Sequence, residues 1–117
     1  AVHSMSHALG ADQELRLHHG TLNGVILPTI LRFNKDHVGK KYSKISRAMG
    51  KDESTDLAEE IERLNKEIGL PSGLREMGVT EDMIPHLVQH SMTDPSNATT
   101  PRLPSQEEWE KLFLAAM

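Results

Sequence analysis

Apolar residues in this chain recur every three or four positions and in no stretch alternate, so the backbone has helices to build and no sheet face to cover. Leu57, Ile61, Leu64 and Ile68 form one such stripe, closed by Gly69 where a helix wants a left-handed residue. Ser54 or Thr55 is the predicted N-cap of that helix, with Asp56 and Glu59 near the positive end of its dipole. Val38, Tyr42, Ile45 and Met49 make a second stripe, predicting an amphipathic surface helix from Asp36 to Met49 with Lys40, Lys41, Lys44 and Arg47 on its outer face. The segment Gly20 to Asn34 is apolar nearly all round, through Val25, Ile26, Leu27, Ile30 and Leu31. It predicts a buried helix, kinked at Pro28 and stopped at Asn34. Thr80 is predicted to cap a further helix that faces Met83, Ile84, Leu87 and Val88 inward, with Pro85 tolerated early or splitting off a first turn. Asp94 to Pro104 reads as a loop. Ser105 and Glu108 then form a capping box for a last helix that packs through Trp109, Leu112, Phe113 and Ala116. The predicted class is all-α, a bundle of five or six helices.

The chain has 117 residues, enough for one domain with its own core, and a net charge of −4 with acids and bases interspersed. No basic run offers a footprint for nucleic acid, and no apolar run approaches a membrane span. The absence of cysteine excludes thiolate zinc sites and thiol nucleophiles and fits a reducing compartment; the expectation is a soluble, cytoplasmic protein.

Chemistry gathers at the front. Four of the seven histidines lie between His3 and Gly20. His3 and His7 stand four apart, which on a helix puts both imidazoles on one face, and a polar loop after Gly10 could bring the doublet His18-His19 back onto them. Neutral imidazole is a common zinc and iron ligand, so spacing alone nominates His3, His7 and either His18 or His19. A metalloprotease pair would carry Glu directly after its first His; here that residue is Ser4. Asp82 and His86 also stand four apart, in a helix start better suited to capping and solvation. His37 and His90 have no evident partner.

The run His3-Ser4-Met5-Ser6-His7-Ala8-Leu9-Gly10, followed by His19-Gly20, Asn23, Leu27-Pro28 and Arg32-Phe33-Asn34, resembles the metal-binding half of the iron-containing (group III) alcohol dehydrogenases. Gly69-Leu70-Pro71-Ser72-Gly73-Leu74-Arg75-Glu76-Met77-Gly78-Val79 is similar to that family's late turn, and Thr100-Pro101-Arg102 to its Asn-Pro-Arg motif. The resemblance spans essentially the whole chain in order. It implies the later part of a dehydroquinate synthase-like C-terminal helical domain at residues 1–117, with further helices and an NAD(P)-binding domain upstream. It also implies that His3 and His19 ligate a divalent metal, Fe2+ with Zn2+ as the other candidate. His7, which bare spacing would make a co-ligand, becomes instead a residue of the substrate and nicotinamide pocket, able to take part in proton transfer.

Two features depart from the family pattern. The loop between His7 and His19 is two residues longer than usual, with His18 where proline is common, so the following glycine is what selects His19; and Thr100 stands where Asn is common. The implied function is hydride transfer between a small alcohol or carbonyl substrate and NAD or NADP in a longer protein, with this chain inactive alone. The other reading is a free-standing helical metal-binding or interaction module. Upstream helices left out of the chain would uncover apolar faces around Val25 to Leu31, predicting self-association or docking against the rest of the protein.

Overall fold

The computed structural model describes residues 1–13 and 15–117; Glu14 lies outside the described residues. The element around which the others pack is α2 (His19–Asn34), which buries Leu22, Val25, Ile26 and Ile30. Those positions recur at helical spacing and line a continuous apolar face. Before it, α1 (Val2–Gly10) buries Met5, Ala8 and Leu9 on one side and displays His3 and His7 on the other, while the small Ser4 and Ser6 let its backbone approach its neighbours closely.

Helix α4 (Leu57–Glu67) lies against α2 on the far side from α1, and α5 (Ile84–Met92) is held between α1 and α6 (Gln106–Ala115). Trp109 and Phe113 of α6 fill the centre, fully buried with Met5, Leu9, Leu22, Ile26, Leu74, Val79 and Val88. The described residues contain helices, turns and bends and no strand, as the periodicity predicts. No described helix is long and apolar enough to cross a membrane.

α2 runs unbroken through Pro28. Proline has no N–H for the carbonyl of Gly24 one turn back, and a partner comes instead from α4, where Asn65 Nδ2 donates to that carbonyl at 2.7 Å. The loss of a bond inside one helix thus becomes a bond between two.

The structure corrects several sequence expectations. The helix expected over Asp36 to Met49 is divided: Lys35–His37 is a 3-10 turn, Gly39 takes a left-handed φ of 54°, and α3 proper is Lys41–Ala48. A left-handed residue cannot continue a right-handed helix, so the glycine resets the chain there. Ile45 of the expected buried stripe is 44% exposed, while Ser46 is buried. At α4 the N-cap is Asp56, not Ser54 or Thr55: its carboxylate accepts the N–H groups of Ala58 and Glu59 at 3.0 and 3.3 Å, while Ser54 is drawn away by Asp52, which accepts its N–H and hydroxyl. The α4 stripe is buried at Leu57 and emerges at Leu64 and Ile68, so its apolar packing is concentrated at the N-terminal end while Asn65 ties the C-terminal half to α2 by a hydrogen bond.

Thr80 makes no side-chain cap; Pro85 does split off a first 3-10 turn, Glu81–Met83. The expected loop from Asp94 contains another 3-10 turn, Pro95–Thr99, capped by the Asp94 side chain. The capping box at Ser105 and Glu108 forms as predicted. Val25, Ile26 and Ile30 are covered by the chain's own helices; the exposed large apolar side chains are Ile45, Leu64, Ile68, Met92, Leu103 and Leu114.

Candidate metal centre

The loop after α1 brings the start of α2 back beside the exposed face of α1. His3 and His7 lie one turn apart with ring centroids separated by 5.7 Å, and His19, the first residue of α2, lies 5.5 Å from His3 and 5.3 Å from His7. Three imidazoles from two helices thus occupy one exposed spot. His18 takes a different part: it is the N-cap of α2, and its Nδ1 accepts the Thr21 N–H at 3.3 Å. Gly20 makes room for that cap, since a Cβ there would lie 3.1 Å from the His18 ring.

The ring orientations are fixed from behind by buried polar groups. His7 Nδ1 lies 2.9 Å from Asp94 Oδ2, and the Asp94 side chain is only 7% exposed. Burial alone would push the Asp94 carboxyl up; its bonds to the His7 ring, to the Ser96 hydroxyl and to the Ser96 N–H outweigh this and hold it below the usual carboxylate value. Asp94 itself is braced, because Ser96 N–H donates to its other oxygen at 2.8 Å and Asn97 ties the following turn to two helices. Ser4 Oγ donates to Asn97 Oδ1 at 2.7 Å, Asn97 Nδ2 donates to the Ser91 carbonyl at 2.8 Å, and Ser91 Oγ returns to the Ser4 carbonyl at 3.3 Å. On the other ring, Ser6 Oγ lies 3.1 Å from the His3 carbonyl and 3.4 Å from His19 Nδ1. With the Ser6 proton given to that carbonyl, its oxygen accepts from His19 Nδ1 and leaves the Nε2 lone pair of His19 uncommitted.

Imidazole nitrogen is a donor that divalent cations such as Fe2+ and Zn2+ accept. Metal-binding imidazoles are characteristically oriented through the nitrogen that does not bind, as Ser6 orients His19. Among the described residues no group of three His, Cys, Asp or Glu is disposed to hold a metal ion. His3 and His19 are the two rings not engaged by a described carboxylate, and the third ring, His7, is turned onto Asp94. Beside them, a groove of about 460 Å³ runs between His3, the N-terminus of α1 and the α2 residues Leu27, Ile30, Leu31 and Asn34. Asn34 Oδ1 is buried without a hydrogen-bond partner.

Of the residues nominated by spacing, His3, His7 and His19 come together and His18 does not. Asp82 and His86 are both exposed, and no described hydrogen bond joins them. Asp94 was missed. It lies 87 positions from His7, and its only local sign is an Asp-Pro step at the end of a predicted helix.

Fold and site together define the class: an all-helical domain that gathers imidazoles from two helices at one exposed spot. Within it, the chain belongs to the Fe-containing alcohol dehydrogenase family, whose C-terminal family model matches residues 1–117. It is 37% identical over 123 aligned residues to 4-hydroxybutyrate dehydrogenase of Cupriavidus necator, covering 99% of this chain and 32% of that protein. Lactaldehyde reductase of Escherichia coli K12 is 36% identical over 123 residues, with 98% of this chain and 32% of the relative covered. Among solved structures, a 1,3-propanediol oxidoreductase superposes with a TM-score of 0.88 at 31% identity, over 99% of this chain and 32% of the other. The chain therefore spans about a third of the length of the relatives it matches.

Proposed function

We propose that these 117 residues are the later part of the metal-binding helical domain of an NAD(P)-linked alcohol dehydrogenase, which interconverts a small alcohol and its aldehyde or ketone. On this reading the upstream helices and the coenzyme-binding domain belong to polypeptide outside the sequence considered. The observation that carries it is the trio of imidazoles with centroids 5.3 to 5.7 Å apart, in a chain that matches the family over its whole length.

His3 and His19 are the metal ligands, and Fe2+ is the favoured ion, with Zn2+ as the competitor for the same imidazoles. Once bound, the metal supplies Lewis-acid polarisation of the substrate oxygen and a nicotinamide supplies the hydride acceptor or donor. His7 stands beside the reacting oxygen and holds or moves its proton at Nε2. The remaining ligands come from polypeptide outside these 117 residues. A reducing, cytoplasmic setting suits Fe2+ and a cysteine-free chain.

Calorimetric titration of the chain with Zn2+ and, anaerobically, with Fe2+ tests the ligand assignment. Weak binding is expected, abolished by His3→Ala or His19→Ala and retained in His18→Ala. Loss in His18→Ala with retention in His19→Ala would reverse the assignment. The chain alone is expected to show no NAD-dependent alcohol oxidation with either metal; turnover by the purified 117 residues would remove the claim that the site is completed from outside.

A further inference from the structure

The pairing of His7 with a buried carboxylate does more than hold a ring in place. We propose that Asp94 is a positioning residue that fixes the proton of neutral His7 on Nδ1, so that Nε2 is presented to the site as a proton acceptor. This rests on the reading of His7 as the residue beside the reacting alcohol, and it adds the group that determines which nitrogen does the work.

The argument starts from acceptor capacity. An ionised carboxylate has no proton to give, so a 2.9 Å contact between Asp94 Oδ2 and His7 Nδ1 requires the ring nitrogen to donate. Asp94 is ionised at neutral pH, because its bonds to His7 and Ser96 hold its carboxyl below the usual value despite burial. A neutral imidazole carries one N–H; with that proton on Nδ1, Nε2 keeps its lone pair. The side chain of His7 is 44% exposed while that of Asp94 is 7% exposed, so the ring has an accessible edge and a buried, tethered one. When the alcohol's O–H bond breaks, its proton forms the Nε2–H bond, and the resulting imidazolium faces the Asp94 carboxylate as an ion pair.

The position of the carboxylate is set by three elements at once. Asp94 follows the end of α5, caps the 3-10 turn Pro95–Thr99, and is stitched to α1 through the Ser4–Asn97–Ser91 cycle of hydrogen bonds. The element that carries His7 is therefore bonded directly to the turn that carries its partner. Slippage between them would have to break the buried Ser91–Ser4 bond and the part-buried bonds of Asn97 together.

The test reads the tautomer itself. Long-range 1H–15N correlation spectra of the 15N-histidine-labelled chain, recorded without metal at a pH where the ring is neutral, distinguish a protonated from an unprotonated ring nitrogen; the His7 signals are assigned by their loss in His7→Asn. The wild-type chain is expected to show a protonated Nδ1 and an unprotonated Nε2 at His7. Asp94→Asn should lower the Nδ1–H to Nε2–H ratio by about tenfold or more, the scale of one charge-assisted bond exchanged for a neutral one. Ser96→Ala, which keeps the carboxylate, should leave His7 in the Nδ1–H form. An Nε2–H form in the wild-type spectrum overturns the proposal whatever the variants do. So does an unchanged ratio in Asp94→Asn with the backbone amide spectrum intact. Neither result touches the metal ligands, whose failure would appear in the titrations of His3→Ala and His19→Ala.

Discussion

Pro28 leaves the Gly24 carbonyl without its helical donor, and Asn65 supplies one from a different helix. The two residues are therefore coupled although they never donate to one another. Asn65→Leu should destabilise the chain by about 1 kcal/mol, the low end of the cost for an acceptor left unpaired, because the Gly24 carbonyl is only partly buried. In a Pro28→Ala background the restored N–H competes for the same carbonyl, so the Asn65→Leu penalty should shrink. A double-mutant cycle from urea denaturation measures this, and equal penalties in the two backgrounds would separate the residues. The residue scale is also where sequence reading was most uneven. The i, i+4 spacing of His3 and His7 was plain in the chain, and glycine after His19 was enough to prefer it over His18 by resemblance. In the fold the two differ in that His18 caps α2, its Nδ1 accepting the Thr21 N–H, while His19 lies beside His3 and His7.

At the scale of elements, helix type followed from periodicity while helix ends followed from local competition for hydrogen bonds. Ser54 and Thr55 both have N-cap chemistry, but Ser54 is engaged by Asp52, and Asp56 accepts from the first turn of α4. Asp56→Ala should therefore cost about 1 kcal/mol in thermal or denaturant unfolding, and Thr55→Ala much less. A larger loss at Thr55 would return the cap to the position the sequence favoured. The same competition shortened α3, where left-handed Gly39 separates the 3-10 turn after α2 from the helix proper. Spacing counts apolar residues and does not register a change of backbone hand within the count, so Ile45 was placed inward and lies substantially in water.

At the scale of the whole molecule, the carboxylates give stability a direction in pH. Glu60 is held down from 4.5 to about 2, first by its bond to Arg63 and then by that to Lys51. Asp56, Glu62 and Asp94 are lowered as well. A carboxyl whose folded value is depressed contributes stability above its unfolded pKa and loses it as pH falls through the folded one. The stability these carboxylates contribute should thus be fully present above about pH 5 and be lost progressively towards pH 2, lowering the melting temperature over that range. Glu60→Gln should lower the plateau slightly and flatten the decline between 4.5 and 2, the window set by its own shift. A melting temperature that rises on acidification over that range would contradict the assignment. The buried Trp109, the sole tryptophan, gives the fluorescence signal for such a series.

The sequence by itself determined that the chain is helical, where most of its helices lie, that Ile26, Val88, Trp109 and Phe113 face inward, and that His3 and His7 share one face of the first helix. Those properties depend on neighbours within a turn or two, and short-range spacing records them. What only the tertiary structure decided is which groups stand behind those histidines: Asp94 behind His7 and Ser6 beside His19, with Asn97 bracing the first pair. A hydrogen bond across 87 residues depends on how α1, α5 and the turn after α5 pack together. Nothing in the spacing of the residues concerned encodes that arrangement, because it is the apolar burial of Met5, Leu9, Leu87 and Val88 that brings the polar partners into reach.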